Sequence, residues 1–193
     1  MVETLSKFGV PINGARNGLF MPKIKHRFRV RVINFGPIAG GLELTQQVVT
    51  VDRPNVTFTG QTVHSYNSIM HFAGKAEWQT INLTVRDDIT NSVSKLVGHQ
   101  VQKQMNFFEQ TSVAAGINYK FTSIIEIMDG GNEEVFEQWT LEGCFLETIN
   151  YNNLDYSSSD AVDIQMTVRF DNATLADGLF ELNPQFRAGV TIG

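Results

Sequence analysis

One cysteine, Cys144, stands in a chain of 193 residues. A lone thiol forms no internal disulfide and no cysteine-based zinc site. Apolar runs are short, and none approaches the ~20 residues that a membrane-spanning helix needs. The opening stretch MVETLSKFGV lacks the basic segment and apolar run of a secretory signal, which predicts a soluble chain made in a reducing cytoplasm. Charge is modest at 18% and is not basic, with a net value of −5. An ordinary DNA binder needs a basic footprint to neutralise phosphates, and this balance argues against one. Disorder needs low hydrophobicity with high net charge; 42% of the residues are hydrophobic, so a packed core is expected.

What is present reads mainly as strands. From His26 to Phe35, the residues Phe28, Val30 and Val32 alternate with Arg27, Arg29 and Arg31, the pattern of a half-buried strand. Leu42 to Val51 predicts a second strand. Val56 to Val63 and Ile69 to Phe72 predict a hairpin-like excursion, and Glu77 to Val85 another strand. The period then changes. Ile89, Val93, Leu96, Val97, Val101, Met105 and Phe108 recur at steps of three and four, which predicts one amphipathic helix ending near Gln110. Asp87, Asp88, Thr90 and Asn91 crowd its start, where oxygens accept orphan amide hydrogen bonds and negative charge suits the dipole.

Tyr119 to Met128 and Glu134 to Leu141 flank Asp129-Gly130-Gly131-Asn132, a hairpin with a glycine turn. Cys144 to Ile149 continues or bends that ladder, and Val162 to Phe170 predicts the closing strand. Residues 1–25 and 172–193 read as arms around a domain of 26–171. With no βαβ rhythm, the expected fold is mainly β: an antiparallel barrel or sandwich with one packed α-helix.

No constellation of catalytic residues is recognisable. A P-loop, a dinucleotide fingerprint and a nucleophile elbow are all missing, so a non-enzymatic protein without a cofactor or bound metal is expected. His64 and His71 flank the middle hairpin without further ligands at metal-site spacing. Asp87-Asp88 is better explained by capping than by acid–base chemistry. Asp129, Glu133, Glu134 and Glu137 read as a solvated acidic face, and Cys144 as a small core residue. Trp78 and Trp139 lie in strand patterns and suit packing better than base stacking.

Several stretches carry a resemblance. In order they are HRFRVRVINFG, VDRPNVTFTG with an excursion ending HFAGK, then AEWQTINLTVRDD opening the helix. They continue with the hairpin around DGGNEE, the strand EQWTLEGCFLETI, the linker NYNNLDYSSSDA and the strand VDIQMTVRFD. Together these resemble the tail tube protein of contractile-tailed, T4-like bacteriophages, which is similar in turn to the type VI secretion tube protein. The resemblance runs from about His26 to Asp171.

The resemblance implies a structural virion protein, assembled in the host cytoplasm. Such a protein would form hexameric rings stacked into a conduit for DNA ejection inside a contractile sheath. Partners would be further copies of the chain, the sheath, the baseplate and the tail terminator, with DNA passing unbound and no stable membrane insertion. A hexamer would carry −30 from −5 per chain, which suits a DNA-repelling, acid-lined lumen. In that setting Arg53, Pro54, Asn55, Phe58, Tyr66 and Met70 are candidates for the ring-to-ring contact. Arg27, Arg29 and Arg31 are candidates for touching another subunit or the sheath. The rivals are a baseplate tube-initiator, a type VI tube-like subunit, a ligand-binding β-barrel and an enzyme with dispersed residues.

Overall fold

The structure is a computed structural model that describes residues 23–37, 41–113, 115–128 and 135–177. Its elements run β1 (Phe28–Ile33), α1 (Gly41–Gln47), β2 (Val48–Val51), β3 (Val56–Ser65), β4 (Ser68–Trp78), β5 (Ile81–Arg86) and α2 (Ser92–Gln104). There follow β6 (Met105–Asn106), β7 (Thr111–Ser112), a 3-10 turn at Gly116–Asn118, β8 (Phe121–Met128), β9 (Val135–Asn150), β10 (Asp163–Arg169) and β11 (Asn172–Asp177). The fold is mainly β and antiparallel, with α2 packed against it, as the patterning predicts.

One sheet runs β1-β8-β9-β10-β5-β2, and β11 also pairs with β9. The long strand β9 makes this possible by serving two ladders. Its first half, Glu137 to Glu142, lies between β8 and β11; its second half, Phe145 to Asn150, pairs with β10. Gly143 divides the halves with φ +68°, a backbone that costs any other residue energy. Alternation then fills the interior. Val30 and Val32 of β1, Ile125 of β8, Leu141 of β9, Ile81 and Val85 of β5, and Ile164, Met166 and Val168 of β10 are all buried. Val93, Leu96 and Val97 of α2 pack on the same core.

Helix α2 opens at Ser92, three residues past Ile89, which is exposed outside it, and Asn91 at its N-cap makes no side-chain cap hydrogen bond; Asp87 and Asp88 supply the acceptors. Asp88 Oδ1 accepts the Ser92 amide at 2.8 Å, and Asp87 Oδ1 accepts that of Ser94 at 3.3 Å. Near its end, Gln100 is buried. Its Oε1 accepts the Gly36 amide at 3.0 Å and its Nε2 donates to the Tyr119 carbonyl at 2.6 Å.

The structure departs from the sequence patterning at four further places. Gly41–Gln47 is a helix and not strand, packed beside β1, so only Val48–Val51 of the expected strand joins the sheet. Glu77 and Trp78 end β4, and Gln79-Thr80 separates them from β5. Helix α2 stops at Gln104, because Met105 is extended and begins the small β6–β7 hairpin that carries Phe107 and Phe108. Finally, Asn172–Asp177 pairs with β9, so the β domain reaches at least residue 177 instead of closing at 171. The expected turn at 129–132 and most of the two expected arms lie outside the described residues.

Candidate assembly surface

Strands β3 and β4 form their own two-stranded sheet from Val56↔Trp78 to Ser65↔Ser68. The turn at its tip sets Tyr66 at φ +46°. Among the described residues, the root is the anchored part: the Trp78 ring lies 5.8 Å from Phe170, and Gln79 N–H donates to the Asn55 carbonyl at 2.9 Å. Register places Val56, Phe58, His64, His71 and Ile69 on one face, and Val63, Met70 and Phe72 on the other. Every β3 residue is exposed, and all of β4 is exposed except Gly74 and Trp78, which are half-buried. Phe58 is 57% exposed and Met70 62%. Two apolar faces left in solvent are the mark of a surface meant for contact.

The expected contact residues divide here. Phe58, Tyr66 and Met70 lie exposed on the hairpin, and Asn55 is exposed at its root. Pro54 is buried at the root. Arg53 pairs with Glu137 Oε1 at 3.5 Å and keeps a side chain 63% exposed.

That Glu137 is not part of a solvated acidic face. Its carboxylate is nearly buried; Lys23 donates to it at 2.5 Å and Trp139 Nε1 at 2.7 Å. Burial works to raise its pKa. The Lys23 and Trp139 hydrogen bonds and the charges of Lys23 and Arg53 outweigh burial, and the pKa falls below the usual glutamate value. Asp129, Glu133 and Glu134 lie outside the described residues.

The arginine row is also tied inward. Arg29 Nε donates to Glu126 Oε2 at 2.7 Å, and Arg31 pairs with Glu126 Oε1. Glu126 is buried on the face of β8 away from the core, and its two arginines remain 40% and 48% exposed. A buried carboxylate needs such partners, since an unpaired one costs several kcal/mol. Arg27 stands half-buried at the start of β1. Sequence patterning finds the arginines but not Glu126, which lies 95 and 97 residues away in the chain.

No described group of histidine, cysteine and carboxylate residues could hold a metal ion. His64 and His71 share a face of the exposed hairpin. Cys144 is buried, its thiol pKa pushed up to about 12 chiefly by burial, which leaves it inert as a nucleophile. No described helix is long and apolar enough to cross a membrane.

No protein-family model matches the chain, and no curated protein matches it in sequence. Solved structures do. The chain is similar to a protein of the anti-feeding prophage tube-terminating cap, with TM-score 0.64 at 13% identity, covering 87% of this chain and 99% of that one. It is similar to a protein of the sheath–tube complex of an extracellular contractile injection system, with TM-score 0.59 at 15% identity, covering 91% and 99%. A protein of the sheath/tube terminator of such a system gives TM-score 0.58 at 14% identity, covering 81% and 97%. The chain therefore has the fold found in tube and tube-terminating assemblies of contractile injection systems, the class of fold that the sequence resemblance implies.

Proposed function

We propose that this protein is a structural tube subunit of a contractile tail. In this role it forms hexameric rings that stack inside a sheath and leave a lumen through which DNA passes. The observation that carries the reading is the β3–β4 hairpin, which projects from a tube-type fold with apolar side chains on both faces. A two-stranded hairpin is marginal by itself in water. Seated on a neighbouring ring it would bury Phe58, Tyr66, Met70 and Phe72 and gain about 25 cal/mol per Å² of apolar area covered. The negative net charge suits a conduit that must release DNA.

The test is assembly. Purified protein viewed by size-exclusion chromatography and negative-stain electron microscopy should show rings or hollow rods. Replacing residues 57–76 by a short turn should leave folded protein that makes no rods. Long tubes from that variant would overturn the hairpin's role.

The similarity to cap proteins supports one rival, a single ring that ends a tube. Rings that never stack at high concentration, yet bind the end of a preformed tube, would favour it.

A further inference from the structure

The sheet has a face turned away from the core that the hairpin does not use. Ile81, Leu83 and Val85 of β5 and Ile164, Met166 and Val168 of β10 point into the core, so their neighbours in sequence point out. Register sets Thr50, Thr84, Gln165 and Asn150 in one row across β2, β5, β10 and β9, and Asn82 and Thr167 in the next. All are hydroxyls or carboxamides. Among the described residues of these strands, none that points outward is a large apolar side chain left in solvent. Phe145, at the margin beside Arg169, is half-buried, with its ring centroid 6.5 Å from that of Tyr119.

The charges of this face are matched within it. Arg169 Nε and Nη2 each donate to Glu147 at 3.1 Å. Arg86 Nε lies 3.8 Å from Asp163 Oδ1. Asp52, just past β2, accepts the Asn82 backbone and side-chain amides at 3.1 and 2.9 Å. Thr167 Oγ1 donates to Asn82 Oδ1 at 3.2 Å. These strands contain no lysine, so each cation of the face already has its carboxylate.

Other surfaces differ. Outward from β1, Ile33 is 49% exposed beyond Arg29 and Arg31. Helix α2 packs on the core side of the sheet, and the β6–β7 hairpin that follows it leaves Phe107 and Phe108 in water. Exposed apolar groups of that kind mark contacts. Hydroxyls, amides and paired charges mark a surface that stays wet.

The strands also have a direction. Asp52 N–H donates to the Asn82 carbonyl at 3.0 Å and Gln79 N–H to the Asn55 carbonyl at 2.9 Å, before the hairpin ladder opens at Val56↔Trp78. The β3–β4 hairpin thus prolongs the β2–β5 ladder. A hairpin that reaches the next ring sets these strands along the tube, with their outward face as a wall. At about 4.8 Å per strand the four-strand face is roughly 19 Å wide, and six such faces close a wall roughly 115 Å round, a bore wide enough for a DNA duplex.

We propose that the outward face of β2, β5, β10 and the second half of β9 lines the lumen, with the α2 side facing out. The inference rests on the tube reading. It differs from the acid-lined lumen that net charge suggests: this wall passes a polyanion because it offers no free cation to exchange for the counterions of the phosphates.

Thiol labelling of assembled rods tests it, because the native Cys144 is buried. Rods of Gln165→Cys should react with biotin-maleimide yet bind no streptavidin along their length until they are dissociated. Rods of Phe108→Cys should bind it along their length. Charge supplies a second arm. Glu147→Gln/Asp163→Asn leaves Arg169 and Arg86 unpaired, and its rods should retain a fluorescein-labelled DNA duplex at low salt at least tenfold more than native rods do.

Streptavidin along Gln165→Cys rods, or none along Phe108→Cys rods, would overturn the wall. So would a thiol at 165 that biotin-maleimide cannot reach, loss of rods on that substitution in a folded chain, or equal retention of the duplex. Each of these results leaves the tube reading standing if native rods form. Native protein that makes neither rings nor rods would overturn both.

Discussion

The main sheet and the β3–β4 hairpin are written in the same alternating code. In β5 and β10, Ile81, Leu83, Val85, Ile164, Met166 and Val168 all point into one core and are buried. In the hairpin, Phe58 and Ile69 lie on one face, Val63, Met70 and Phe72 on the other, and both faces meet water. The same period-2 pattern thus yields a core where a second layer covers it and an adhesive arm where none does. Alternation reports a strand; only a covering layer makes it a core.

The sharpest way to break that contrast is truncation on each side of it. Leu141→Ala removes a fully buried side chain and should cost about 3 kcal/mol in urea unfolding. Met70→Ala should change the isolated chain's stability by less than about 0.5 kcal/mol, yet weaken assembly. Equal losses at the two sites would mean that the hairpin packs within its own chain.

The arginine row gives the next largest effect. Arg29→Ala/Arg31→Ala strands Glu126 without a partner and should cost roughly 3 kcal/mol, whereas Glu126→Leu, which leaves two half-exposed arginines, should cost about 1. If the arginine pair is lost without effect on folding, the row serves a partner and not Glu126.

Gly143→Ala tests the corner of β9. It forces φ +68° on a side-chain-bearing residue and drives its Cβ to 2.2 Å from Asp171 Oδ2, so a loss of about 2 kcal/mol is expected by chemical denaturation.

Acid sharpens the comparison at the hairpin root. The Glu137 pKa is lowered on folding, so its ionised form contributes stability above the ordinary value of 4.5. That contribution fades as pH falls through the lower, folded value. The stability gap between the native chain and Glu137→Gln should therefore be full at pH 6 and narrow below 4.5. A gap independent of pH would mean that the Lys23–Glu137–Arg53 link contributes no charge energy. The smallest effect belongs to Asp88. Hydrogen bonds from Thr90 and Ser92 hold its pKa at about 2. Asp88→Asn should lower Tm slightly at pH 6, and the difference should vanish as pH falls from 3.8 toward 2.

Much of the fold was legible in local pattern. Val30 and Val32, Ile81 to Val85 and Ile164 to Val168 alternate because one face of each strand is covered. Asp87 and Asp88 mark the start of α2 because orphan amides there need acceptors. The failures share a cause as well. Gly41–Gln47 has apolar spacing too brief to distinguish a short helix from a strand. Met105 and Phe108 continue the period of α2 although the chain has already turned into β6–β7. Asn172–Asp177 carries too few large apolar residues to read as a strand, and gains its place from the open edge of β9.

For the assembly surface, sequence alone determined which residues are apolar in the hairpin and which strand carries the arginines. Chain order and spacing also determined the class of fold. Tertiary structure decided the rest. It turned Arg29 and Arg31 toward Glu126, buried Pro54, and brought Lys23 and Arg53 to Glu137. Local composition fixes which conformations a segment favours, because that depends on neighbours in the chain. Burial and pairing of charge depend on groups brought together from distant positions, and these meet only when the sheet closes.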